Sequence, residues 1–155
     1  MSHEENELDL IKWPDPLPDS WRLAEVPAAG GFEHGFEIFE ADQARGRCDV
    51  VLALNSELKD AYPVSAHDRV VYPSEDAVAG SVQLVSEEIM RRDKACRRLV
   101  IATPEEDIEQ IGRAESAGYR YVVDVDLHDR AVSLMTAEPS WVLEESRRID
   151  EVPTR

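Results

Sequence analysis

Apolar residues recur along this chain in three different rhythms. In "GFEIFEA" (35–41) they alternate, with Phe36 and Ile38 on one face and Glu37 and Phe39 on the other. A period of two is that of a strand with one face buried. "CDVVLAL" (48–54), "DRVVY" (68–72) and "RRLVIAT" (97–103) are instead continuous apolar runs, the pattern of strands covered on both faces. "WRLAEV" (21–26) is a weaker strand of the same length class. From Glu75 to Asp93 the rhythm changes: Val78, Val82, Val85 and Ile89 recur at spacings of four, three and four. That stripe predicts an amphipathic helix, with Ser74 as its cap and Glu75 and Asp76 in a first turn whose dipole favours acids.

The punctuation between these runs sets the order. Asp42 to Gly46 reads as a hairpin loop with Gly46 at positive φ. "TPEE" predicts a capping box, Thr103 as N-cap and Glu106 reaching back, for a helix that turns Ile108 and Ile111 inward and stops at Gly118. "YRYVVDVDL" (119–127) and "AVSLMTA" (131–137) form a hairpin, with Tyr119, Tyr121, Val123, Val125 and Leu127 on one face and Asp124 and Asp126 on the other. Residues 55–67 read as a helical turn or an irregular loop. The predicted order is β-β-β-β-α-β-α-β-β, one α+β domain with helices packed on a mixed central sheet. The domain spans 21–139. Residues 1–20 before it are acidic and then rich in proline (Pro14, Pro16, Pro18), a flexible tail. Residues 140–155 after it read as a short C-terminal helix and tail.

Charge narrows the partners. Asp and Glu number 33 against 17 Lys and Arg among 155 residues, a formal net charge of −16. Such a surface repels phosphate backbones and attracts cationic partners, so nucleic acid is not expected. Its plainer reading is a solvated acidic coat. No apolar run reaches the roughly 18 residues of a membrane span, and "MSHEENELDL" lacks the features of a signal peptide, which makes a cytoplasmic protein the expectation. Cys48 and Cys96 sit beside apolar runs and read as core thiols. His3, His34, His67 and His128 form no ligand cluster, so no metal is expected. No serine stands in a G-x-S-x-G setting.

The stretch "VVYPSEDAVAGSVQLV" (70–85) runs from strand through loop into helix, where phosphates are often cradled. With "LVIATPEEDIEQIGRAESAGYRYVVDVDL" and its Ala117-Gly118-Tyr119 junction, residues 68–137 resemble the GCN5-related N-acetyltransferase (GNAT) superfamily, here in a short and degenerate form. The first two helices of that family have almost no room between the first two strands. The resemblance implies acetyl-CoA as cofactor, its pantetheine along Val71 and Tyr72 and its phosphates at Ala79, Gly80, Ser81 and Val82. It implies transfer of an acetyl group to a small amine or a protein amino group. The family's Arg/Gln-x-x-Gly-x-Gly/Ala loop is not restored in either register of Gly80, which puts Ala77 or Glu75 at the basic position. Ala114 stands where many members carry a tyrosine acid. Glu37, Glu40 and Glu75 are base candidates by location only, and the catalytic residues are unknown. Activity is accordingly expected to be weak or lost. The alternative is a non-catalytic binding module of the same fold, reached by a partner through the N-terminal tail. The two readings differ in one place. An enzyme splays strands 68–72 and 98–103 into an open cleft, whereas a binding module closes it with a side chain such as Tyr72 or Trp13.

Overall fold

The computed structural model describes residues 14–139. Their order is β1 (Trp21–Val26), β2 (His34–Glu40), β3 (Gln43–Leu52), a 3-10 turn (Ala53–Asn55), β4 (Arg69–Pro73), α1 (Ala79–Arg92), β5 (Leu99–Pro104), α2 (Ile108–Ser116), β6 (Arg120–Asp126) and β7 (Ala131–Ala137). The order is the one the apolar rhythms predict. The strands form one mixed sheet in the order β1-β2-β3-β4-β5-β7-β6. Only β4 and β5 are parallel; the other neighbours run antiparallel. The seven residues from Pro27 to Glu33 join β1 to β2 without a helix.

Burial divides the sheet into two faces. Both helices lie on one, where Val82, Val85 and Ile89 of α1 and Ala114 of α2 meet Phe36, Ile38, Val50, Val71, Ile101 and Met135. The other face carries Val51, Val70, Val100, Val132 and Leu134, covered by Leu58, Tyr62 and Val64 from the irregular segment after the 3-10 turn. The continuous runs of β4 and β5 are therefore apolar because both faces are buried.

Several local expectations are corrected. The β2–β3 turn is only Ala41 and Asp42, with Ala41 at φ 53°, so β3 starts at Gln43 and not at Cys48. Gly46 has its positive φ (97°) inside the strand, at a bulge where the register jumps between Glu37 and Phe39. Helix α1 starts at Ala79 with Val78 as an uncapped, exposed N-cap residue, so Ser74 caps nothing and Val78 leaves the core stripe. Thr103 lies within β5. Glu106 adopts φ 65° in a turn, and Asp107 is the N-cap of α2, its carboxylate accepting from Gln110 N. Ile108, in the first turn, is 82% exposed rather than inward. Gly118 does end α2 at φ 104°, with Tyr119 N–H returning to Ala114 O and Gly118 N–H to Glu115 O, a Schellman closure. A bulge at Val122 splits the face expected of β6: Tyr121 pairs with Met135 on the helix face, but Val123 and Val125 pair with Leu134 and Val132 on the other. Of the tail expected at 1–20, residues 1–13, Trp13 included, lie outside the described residues, as does the whole segment expected at 140–155.

Candidate functional site

Parallel strands β4 and β5 are joined only at their beginnings. Their ladder has the pairs Arg69–Leu99 and Val70–Val100 and then stops, although β4 continues to Pro73 and β5 to Pro104. On its other side β4 stays paired with β3 as far as Pro73. Bonds such as Ala53 N–H to Asp68 O and Ser74 N–H to Arg47 O turn the even-numbered residues of β4 toward β3, which turns residue 71 toward β5. The rung that would come next, Ala102 N–H to Val71 C=O, is not made. Past the second rung the ladder has a gap: the backbone groups that β4 and β5 turn toward each other are not joined by its bonds, and buried backbone groups are rarely left without a partner. Tyr72 does not close this gap. Its ring lies on the face opposite the helices, edge-on to Phe32 at 5.3 Å, and its Oη donates to Glu57 Oε2 at 3.0 Å. Burial, then the charge of Glu57, push its hydroxyl pKa far up.

The loop from Ser74 to Val78 links β4 to α1. Ser74 Oγ accepts from Arg47 N–H (3.0 Å) and donates to Asp76 Oδ1 (2.6 Å), pinning the loop to β3. A Cβ on Gly46 would stand 2.5 Å from Ala77 Cα, so the bulge glycine lets the loop end lie directly on β3. Of the residues expected at the phosphates, Ser81 and Val82 are fully buried, and Ser81 Oγ donates to Arg45 O at 2.5 Å. They offer no side chain to a ligand. Ala79 and Gly80 are half-buried. A Cβ on Gly80 would stand 2.6 Å from Trp21 Cη2, so this glycine admits the indole of β1.

A residue the sequence reading passed over reaches the loop from the other side. Arg113, in the last turn of α2, donates through Nη1 to Ser74 O (2.9 Å), Ala77 O (2.8 Å) and Glu75 O (3.5 Å). Between loop and helix lies a cavity of about 460 Å³ lined by Glu75, Ala77, Asp107, Glu109, Gln110 and Arg113. Its one sequence signal was position: Arg113 immediately precedes Ala114, the site of the missing tyrosine. Ala114 itself is buried in the core. Of the base candidates, Glu75 rims this cavity, Glu37 rims a smaller one of about 280 Å³ beside Ser74 and Asp76, and Glu40 is paired with Arg45 at 2.8 Å. The structure does not bring the three together in one pocket. Among the described residues no group of His, Cys, Asp and Glu is arranged to hold a metal, and no helix is long and apolar enough to cross a membrane.

Solved structures share the overall fold in which this strand pair, loop and two helices lie. AAC(6')-Ib, an aminoglycoside acetyltransferase in complex with coenzyme A and kanamycin, matches 74% of this chain over 70% of its own, at 14% identity and TM-score 0.60. The chain has the fold of the GNAT acetyltransferases. An uncharacterized protein from Bacillus halodurans matches 92% of it over 67% of its own chain, at 11% identity and TM-score 0.62. RimL, the ribosomal L7/L12 alpha-N-protein acetyltransferase in complex with coenzyme A, matches 70% over 63%, at 13% identity and TM-score 0.51. This GNAT-fold chain spans 66% of the related AAC(6')-Ib11, just under two thirds of that enzyme's length. No family model and no curated protein matches the sequence.

Proposed function

We propose that this GNAT-fold protein binds acetyl-CoA and is a cytoplasmic N-acetyltransferase, acting weakly on a small amine or a protein amino group. The observation that carries the reading is the gap between β4 and β5, with Val71 C=O and Ala102 N–H unpaired across it. A pantetheine arm carries amides that can restore those bonds. When bound, the cofactor would supply its acetyl group as an activated thioester. The chain's own part is to hold that arm along Val71 and Tyr72, to receive the phosphates near Ala79, Gly80, Ser81 and Val82, and to bring a cationic acceptor to an acidic surface. Activity is weak in this reading because carboxylates, and not a basic loop residue, border the phosphate end, and because Ala114 cannot protonate a departing thiolate.

A second reading, a non-catalytic binding module, is favoured by one observation: the space over Gly80, in the first turn of α1, is occupied by Trp21 packing. Calorimetric titration with acetyl-CoA at moderate salt, followed by amide NMR shifts, separates the two. Saturable binding that shifts Val71, Ala102 and Gly80 supports the first. Absence of binding at millimolar cofactor overturns it and leaves the module.

A further inference from the structure

We infer that the open edge of β6 is a docking strand for an extended basic segment, one that alternates Lys or Arg with apolar residues. Strands β5 and β7 lie between this edge and the β4–β5 gap, so the surface is independent of the acetyl-CoA site proposed above.

Among the described residues β6 closes one end of the sheet, paired with β7 and with no other strand. Leu127 N–H donates to Arg130 O at 2.7 Å, so the odd-numbered residues from Val123 to Leu127 turn their backbone groups toward β7. Asp124 and Asp126 therefore turn N–H and C=O outward, where a further strand can pair with them. The bulge at Val122 ends this regular stretch. The edge is nonetheless apolar, with Tyr121, Val122 and Val123 exposed in succession at 51%, 39% and 36%.

Charge selects the occupant. Asp124 and Asp126 are exposed and share the helix face, Asp124 Oδ1 accepting from Ser133 Oγ at 2.7 Å. Val123 and Val125 lie on the opposite face, paired with Leu134 and Val132 of the second core. A strand laid beside them meets carboxylates on one face and apolar side chains on the other. Lys or Arg at alternate positions answers the first, and apolar residues between them extend the second core. A second copy fits worse. Antiparallel self-pairing centred on Val125 sets Asp124 of each copy against Asp126 of the other, and each copy brings a net charge of −16. Arg120, the one cation of β6, lies beyond the bulge.

The test uses the whole chain at moderate salt, which screens diffuse attraction to the acidic surface. Three short synthetic peptides serve as probes: alternating Lys and Val, alternating Glu and Val, and alternating Lys and Ser. Amide NMR and hydrogen exchange read the site. The Lys–Val peptide should bind saturably, shift residues 123–127 and slow exchange at the Asp124 and Asp126 amides, with the other two peptides about tenfold weaker. Asp124→Lys combined with Asp126→Lys should weaken the Lys–Val peptide about tenfold and tighten the Glu–Val peptide. Equal affinity for the Lys–Val and Lys–Ser peptides would reduce the effect to net charge and overturn the inference. So would shifts confined to other elements, or no saturable binding. Protection of the Asp124 and Asp126 amides that grows with protein concentration alone would make a second copy the occupant, and would overturn it too. Should the double variant not fold, Asp126→Lys decides: unchanged Lys–Val affinity sinks the inference.

Discussion

The indole of Trp21, on the edge strand β1, lies so close to Gly80 in the first turn of α1 that a β-carbon there would stand 2.6 Å from Cη2 and 3.0 Å from Cζ2 and Cζ3. Glycine is thus the residue that lets strand and helix close up. Gly80→Ala gains helix propensity of up to about 1 kcal/mol but forces the indole aside, for which overpacking costs of about 1–3 kcal/mol are typical. The net expectation is a loss of about 1 kcal/mol in denaturant unfolding. In a Trp21→Ala background the same change should be neutral or stabilising, because only the propensity gain remains. A double-mutant cycle with no coupling between the two positions would remove the packing role.

Element order was legible in this sequence because each buried strand is a continuous apolar run set off by Pro, Gly or acidic residues. Element ends were not. Ser74 has the chemistry of a helix cap, but its Oγ already accepts from Arg47 N–H, 27 residues earlier, and only the fold brings that strand alongside. "TPEE" has the letters of a capping box, but Thr103 is held in β5, its hydroxyl donating to Ser133 O at 3.2 Å. The candidate site suffered most. Arg113 meets carbonyls 36 to 39 residues back in the chain, an arrangement with no periodicity to betray it. A loop that lacks its own cation was the legible half of that pair.

Tyr119 and Ser86 make an unequal pair. Ser86 Oγ donates to Val82 O at 2.7 Å, so the 2.6 Å contact with Tyr119 Oη has the tyrosine as donor. Burial holds that phenol neutral, its pKa pushed far above the ordinary value. Ser86→Ala strands a buried hydroxyl and should cost about 1–3 kcal/mol, whereas Tyr119→Phe leaves Ser86 bonded and should cost about 1 kcal/mol or less. Urea midpoints of the two variants check the order. Equal losses would mean that water replaces the lost acceptor.

The two thiols should be silent in the native protein. Burial pushes Cys48 up to about 12 and Cys96 up to about 11, so neither forms thiolate at pH 8. A disulfide reagent at pH 8 should titrate no thiol from residues 48 and 96 in native buffer and both in denaturant. Rapid native labelling of Cys48 would show that β3 opens far more readily than a core strand should.

Asp93, the C-cap of α1, stands at the end of a helix where the dipole disfavours an acid. Burial raises its pKa further, yet bonds from Arg69, from His67 at 2.9 Å and from Ala95 N–H at 2.9 Å outweigh both and hold it at about 2. Arg69 is only 8% exposed and also reaches Glu33 at 3.2 Å, so one cation ties the base of β4 to the end of α1 and to the β1–β2 connection. The folded pKa of Asp93 lies below its unfolded value of about 3.9, so its ion pair stabilises the fold fully above pH 4. That stability is lost as pH falls from about 4 toward 2. Asp93→Asn should cost about 2 kcal/mol at pH 7, since a charged bond to a buried guanidinium goes, or about 4–8 °C in Tm. The deficit should shrink through the same pH 4 to 2 window, because wild type loses there what the variant has already lost. Melting both proteins from pH 7 down to pH 2 tests this, and a deficit that stayed constant with pH would mean that geometry, not the charge of Asp93, holds the corner.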